Sequence, residues 1–208
     1  ALVRRLCSSR NVLMRAYPTA VRETRFLAAI SRTAPRSRLA VWLGAWLYWF
    51  LGSCKTRIPR LLSRDALKRA EPVVNAGVTQ GAVEYSDALL VDGDARFVYS
   101  LVRRAADAGC VTVNYLNVVN AQRSGEYWRV DLLDSVDGGQ MSTRARVIIN
   151  AAGPFADPLA GLTNVVTGLR HALSKGIHLI TDRLSAQSRV LAFYADDGRP
   201  FFVIPLGN

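Results

Sequence analysis

The chain has 208 residues and 50% of them are apolar, enough to build a real core in one large domain or parts of two, and too many for global disorder. Its net charge of +11 is unevenly placed: residues 1–69 hold 15 Lys/Arg against Glu23 and Asp65, a balance of +13, while residues 70–208 hold 12 against 14 acids, a balance of −2. Three scattered cysteines (Cys7, Cys54, Cys110) and two histidines lack metal-ligand spacing, which argues against a zinc or iron site and for thiols in a reducing compartment.

In chain order, "ALVRRLCSSRNVLMRAY" carries Leu2, Leu6 and Leu13 at helical spacing and stops before Pro18, which predicts a first helix. "RTAPRSR" (32–38) is a basic break. "LAVWLGAWLYWFLG" (39–52) is an apolar run of 14 residues, short of the roughly 20 that span a bilayer. Two readings fit it: a helix packed on the protein, or a helix at a membrane surface with Trp42, Trp46, Tyr48 and Trp49 at headgroup level. "LLSRDALKRAEP" (61–72) predicts a short helix with Ser63 as N-cap and Pro72 beyond its end. "GAVEYSDALLVDGDAR" (81–96) predicts a strand or strand pair entering a turn. "DARFVYSLVRRAADAG" (94–109) predicts an amphipathic helix with Phe97, Leu101 and Ala105 on one stripe and Gly109 at the C-cap. Four strand signals follow, "CVTVNYLNVVNAQR", "EYWRVDLLDS", "QMSTRA" and "RVIINAAG", divided by "SGE" and "VDGG".

The pattern is α/β (mixed α+β): a helix, a strand, a small antiparallel excursion, and a return strand that runs into Asn150-Ala151-Ala152-Gly153. Ligands sit at the carboxyl ends of parallel strands, and small residues there let a pyrophosphate or ribose come close to the backbone. The basic first third suits an anionic membrane or a nucleic acid. A solvated face in an arginine-rich composition, 24 Arg to 3 Lys, fits it as well.

The ordered set "EYSD…DAR…INAAGPFAD…SKGIHL…GRPFFVIPLG" resembles FAD-dependent (respiratory, aerobic) glycerol-3-phosphate dehydrogenase over nearly the whole chain, most strongly from residue 81 onward. The resemblance implies part of a two-dinucleotide-binding-domain FAD flavoprotein fold, glutathione-reductase-like and amino-acid-oxidase-like, with a substrate domain. It divides the chain into a helical basic segment of the substrate or cap region (1–80), part of an FAD-binding Rossmann-like domain with a β-meander (81–160), and the start of a substrate-binding β domain (161–208). It implies FAD as cofactor, lined by Val118 through its backbone and by Asn150, Ala151, Ala152 and Gly153. It places His178 at the active centre, as substrate ligand and proton acceptor while hydride leaves C2 for flavin N5, with Lys175 as positive charge for the substrate phosphate. Asp94 and Arg96 open a helix, where Asp94 reads as a cap.

The function so implied is oxidation of sn-glycerol 3-phosphate to dihydroxyacetone phosphate, with electrons passed to a membrane quinone. The enzyme would be cytoplasmic, peripherally attached to the anionic surface of the inner membrane, with no nucleic acid as partner and a homodimer left open. The chain departs from the family at Ala152 (usually Thr), at Leu206 (usually Trp), in a longer "ALLVDG" turn, and in having no G-x-G-x-x-G. In the family that glycine-rich turn lies upstream of these motifs, so the chain reads as an internal fragment that is inactive alone. Two alternatives stay open: another FAD-dependent, amino-acid-oxidase-like oxidoreductase, and a non-enzymatic basic module that binds membrane or nucleic acid.

Overall fold

Four consecutive apolar residues, Leu27 to Ile30, are buried in the middle of a strand, and one half of the fold is organised around them. The structure is a computed structural model that describes residues 1–165, 168, 170–195 and 197–206. Gly207, which ends the "FFVIPLG" run, lies outside the described residues. In chain order the elements are α1 (Leu2–Ala16), β1 (Val21–Ser31), α2 (Arg38–Leu51), β2 (Arg60–Leu62), α3 (Arg64–Ala70), β3 (Thr79–Leu90), α4 (Gly93–Asp107), β4 (Leu116–Ser124), β5 (Tyr127–Asp134), β6 (Gln140–Ala145), α5 (Ala156–Leu162), β7 (Val190–Tyr194) and β8 (Pro200–Val203). They form two compact units, Ala1–Arg103 with Ile180–Asn208, and Arg104–Leu179.

The first unit holds a five-stranded sheet in the order β2-β3-β1-β7-β8. β1 pairs antiparallel with β3 from Val21↔Leu90 to Ser31↔Thr79 and parallel with β7 from Phe26↔Val190 to Ala28↔Ala192. Side chains alternate across a strand, so Leu27, Ala29, Ala82 and Leu191 face one side and pack on Leu67 of α3 and on Val74. Ala28, Ile30 and Ala192 face the other side, against Val41 of α2 and Tyr85. A strand covered on both faces reads as an unbroken apolar run. Gly81 (φ +122°) stands where a Cβ would collide with the Leu62 carbonyl, so β2 reaches β3 only because the side chain is missing.

The predicted α1, α2, α3 and α4 all form, close to their expected bounds. Ser63 caps α3 as expected, its Oγ accepting from the Ala66 N–H at 3.2 Å. Ser63→Ala is expected to cost about 1 kcal/mol, seen as a lower denaturant midpoint for the sheet it braces. The stretch 81–96 holds a single strand and not a pair: it continues β3, 12 residues from Thr79 to Leu90, which matches β1 along its whole length. The sequence reading gave residues 21–31 no element, yet they form the central strand.

α2 is packed on one side and open on the other. Arg10 of α1, itself buried, donates to the Tyr48 hydroxyl at 3.0 Å and to Asp87 Oδ1 at 3.3 Å, and the Tyr48 hydroxyl donates to Asp87 Oδ2 at 2.9 Å. Burial and the neighbouring Asp87 charge push the Tyr48 hydroxyl well above its ordinary range. Tyr48 is thus tied inward, as the packed-helix reading has it, and does not belong with the headgroup-level aromatics of the membrane-surface reading. On the outer face Leu39, Leu43, Leu47 and Phe50 are exposed at helical spacing. Among the described residues no helix is long and apolar enough to cross a membrane.

The second unit holds the meander β4-β5-β6, all antiparallel. Asp131 ties its three strands together, accepting from Ser142 Oγ at 2.6 Å, Asn120 Nδ2 at 2.9 Å and Arg129 Nε at 3.1 Å. Those donors, Ser142 first, hold its carboxyl down at about 2. Two expected strand stretches are absent: "CVTVNY" (110–115) and "RVIINAAG" (146–153) are irregular, with Val111, Val113, Val147 and Ile149 exposed. A strand is stabilised by its ladder partners, and among the described residues neither stretch has one.

Candidate functional site

The small-residue loop is shaped for backbone approach. The Asn150 side chain is spent on the loop itself: its Nδ2 donates to the Ala156 carbonyl at 2.8 Å and its Oδ1 accepts from the Ala152 N–H at 3.3 Å. That staples the loop to the start of α5, with Ala151 and Gly153 exposed and Ala152 half-buried. Gly153 has φ +54°, and nothing lies within 4 Å of where its Cβ would stand. These residues fit a group that must come close to main chain, as a dinucleotide pyrophosphate or ribose does. Val118 lies on β4, half-buried opposite Leu132, at a bulge where the register slips between Val118 and Asn120. α5, to which the loop is stapled, lies against β4, the strand that carries Val118.

His178 and Lys175 lie in the stretch from Arg170 to Arg189, which has no helix or strand. Both are exposed, and neither is hydrogen-bonded or ion-paired to a described residue. No described contact joins them to the Asn150–Gly153 loop. The other histidine, to which the sequence reading gave no role, is held instead. His171 Nδ1 lies 2.8 Å from Asp157 Oδ1, and its N–H donates to Asp157 Oδ2 at 3.0 Å. The backbone donor first, and the ring second, hold the Asp157 carboxyl below the usual carboxylate range. The contact fixes the chain leading toward Lys175 to the first turn of α5.

The motif residues of "EYSD" take structural posts in the first unit. Tyr85 stacks on Phe26 with ring centroids 5.5 Å apart, and burial, with the Asp87 charge second, pushes its hydroxyl up to about 12. Asp87 receives the Tyr48 and Arg10 donors described above. Glu84 accepts from Arg25 Nη2 at 2.8 Å and from Arg189 Nη1 at 2.9 Å. Behind it, Glu71 is 1% exposed, accepts from the Ser185 hydroxyl, and has its second oxygen 3.6 Å from Arg189 Nε. The sequence reading counted Arg25 and Arg189 only as bulk charge. The available signal was Arg25 two residues before a buried apolar run, a charge that a covered strand tolerates only when paired. Asp94, expected as the cap of α4, lies inside the first turn of that helix, where its Oδ1 accepts from the adjacent Ala95 N–H at 2.8 Å and its charge suits the positive helix end.

A family model described as FAD dependent oxidoreductase (DAO) matches residues 10–208. The chain belongs to this family. As an FAD dependent oxidoreductase it has curated relatives along almost its whole length. It is 32% identical over 209 residues to the D-erythritol 1-phosphate dehydrogenase of Brucella abortus (strain 2308), covering 98% of this chain and 40% of that protein. It is 30% identical over 213 residues to the glycerol-3-phosphate dehydrogenase of Pseudomonas tolaasii, covering 100% of this chain and 39% of that one. The chain thus spans about two fifths of the length of these relatives. Among solved structures, the glycerol-3-phosphate dehydrogenase from Bacillus halodurans complexed with FAD matches with a TM-score of 0.61 at 17% identity, over 95% of this chain and 35% of that one. The glycine oxidase from Geobacillus kaustophilus matches with a TM-score of 0.52 at 16% identity, over 77% of this chain and 40% of that one. The fold expected from the sequence, mixed α/β of the flavoprotein oxidoreductase type, is the one these structures share.

Proposed function

We propose that the protein containing this chain oxidises the secondary hydroxyl of sn-glycerol 3-phosphate to give dihydroxyacetone phosphate. The observation that carries this reading is the pair of relatives above, both named as dehydrogenases of polyol phosphates and both aligned over essentially the whole chain. FAD, when bound, supplies the hydride acceptor. Ala151, Ala152 and Gly153 hold it by close backbone approach, beside Val118. His178, with no hydrogen-bond partner among the described residues, is available to hydrogen-bond the substrate hydroxyl and take its proton at a ring nitrogen. Lys175 adds a positive charge for the substrate phosphate. The Brucella relative supports a second reading, a four-carbon polyol phosphate in place of the three-carbon one.

The electron acceptor in this reading is a membrane quinone. The exposed Leu39–Leu43–Leu47–Phe50 stripe, bracketed by Arg32, Arg36 and Arg38 before it and Lys55 and Arg57 after it, supports peripheral attachment to an anionic membrane.

The test is an anaerobic visible spectrum of the full-length protein. The flavin band is expected to bleach with sn-glycerol 3-phosphate and to stay with glycine. Bleaching by erythritol 1-phosphate alone would transfer the function to the second reading. Bleaching by an amino acid alone would overturn both.

A further inference from the structure

We propose that the arginine-lined cleft beside β1 and β2 is a binding site for a phosphomonoester dianion, built from residues other than those assigned to flavin or to proton removal. The cleft has a volume of about 600 Å³ and is lined by Arg25, Arg57, Arg60 and Arg189 with Glu23 and Glu84, among others. Four guanidinium groups face two carboxylates, a local excess of two positive charges. Counting the buried Glu71 behind the wall, the excess is still one.

The acids are already committed. Glu84 has one oxygen on Arg25 and the other on Arg189, so its charge is answered twice. Glu23 Oε1 accepts from the Arg57 backbone N–H at 2.7 Å, holding the chain rather than a guanidinium. Arg25 Nη1 donates to Ser86 Oγ at 2.9 Å and to the Ile58 carbonyl at 3.2 Å. The side chains of Arg57 and Arg60 are left exposed and without a described partner.

The scaffold under those two arginines is rigid. Residues 57 and 58 are pinned by Glu23 from one side and Arg25 from the other, and the buried Pro59 between them and Arg60 has a fixed φ. Arg60 stands opposite Glu84 in the β2–β3 register, so it shares a sheet face with Arg25 and Glu84. Two unspent planar forks over a fixed ion-paired floor match the three acceptor oxygens and double charge of a phosphate group. Gln187 and Ser188 complete a polar wall. The cleft is larger than one phosphate group, which leaves room for the organic part of an ester.

The test titrates the full-length protein with inorganic phosphate and, separately, with glycerol 3-phosphate, at constant ionic strength, by calorimetry. Saturable binding is expected, weakened about tenfold by Arg57→Ala and again by Arg60→Ala, each step being about 1.4 kcal/mol. Arg5→Ala, an exposed arginine of the same basic third outside the cleft, is the control and leaves the affinity unchanged. Glycerol 3-phosphate is expected to show one equivalent more than the substrate site takes, and only that additional equivalent responds to the two cleft variants. Equal affinities of the two ligands at the additional site, both lost in the double variant, assign it to free phosphate. Tighter glycerol 3-phosphate binding at the additional site, lost in the same variant, assigns it to an ester. The proposal is overturned if the double variant binds both ligands as the wild type does, if no additional equivalent saturates, or if Arg5→Ala weakens binding equally. The additional equivalent is counted without flavin reduction, so it stands apart from the substrate reading above.

Discussion

His178→Ala in the full-length protein is expected to slow flavin reduction by sn-glycerol 3-phosphate about 10²–10⁴-fold, the range for removing a positioned general base. The expectation rests on placement. His178 sits in an irregular stretch, exposed and without a hydrogen-bond partner among the described residues, so its ring is not consumed in holding the described fold. His171, by contrast, is engaged by Asp157 from two atoms. His171→Ala is therefore the comparison, and it removes a loop anchor without touching the ring assigned to the proton. Stopped-flow absorbance of the flavin band under anaerobic conditions separates the two. A large loss in His178→Ala with retained flavin and retained KM marks an interaction made in the transition state. An unchanged rate in His178→Ala, or an equal loss in both variants, removes His178 from the chemistry. The pH profile adds a second readout: the rising limb that a general base gives the wild-type rate is absent from the variant.

The parts of the fold that were legible in sequence are those whose signals are local. α3 announced itself through Ser63 and Pro72, α4 through Asp94, its stripe and Gly109, and β5 and β6 through alternation between turn residues. What was missed depends on partners remote in sequence. β1 begins "VRETRF", and its charges hide a central strand. Only the structure shows that Arg25 is answered by Glu84, 59 residues on, and that Glu84 is answered again by Arg189, 105 residues on. The segments at 110–115 and 146–153 erred the other way: their apolar pattern is that of buried strands, but a pattern is realised only where a ladder partner exists. The candidate site divides similarly. The open Gly153 turn was readable from Ala-Ala-Gly after an apolar run. The Asn150 staple and the His171–Asp157 contact were not, since both depend on where α5 folds back.

Glu84→Ala is expected to destabilise the first unit by about 3–5 kcal/mol, the cost of leaving a buried charge without its partner. Glu84 and Arg25 have side chains only 10% and 13% exposed, and Arg189 is 20% exposed, so water cannot replace the lost carboxylate cheaply. Removing Glu84 takes a carboxylate from two guanidinium groups at once: Arg25 keeps only neutral acceptors, Ser86 Oγ and the Ile58 carbonyl among them, and Arg189 keeps the Glu71 contact at 3.6 Å. The charge itself is not required for stability. Glu84→Leu combined with Arg25→Met removes one ion pair as a unit and leaves Arg189 to Glu71, and apolar replacement of a whole pair is often neutral. The double variant is therefore expected to recover most of the loss. Hydrogen exchange at the β1 and β3 amides reads the effect locally, because these strands open with the sheet. A cost below about 1 kcal/mol for Glu84→Ala, the range of an exposed pair, would mean that solvent in the cleft already screens the floor. If instead the double variant is as unstable as the single one, the two carboxylate–guanidinium contacts contribute geometry that apolar packing cannot replace. The ionic floor then counts as a structural requirement of the sheet and not as a by-product of a site that binds anions.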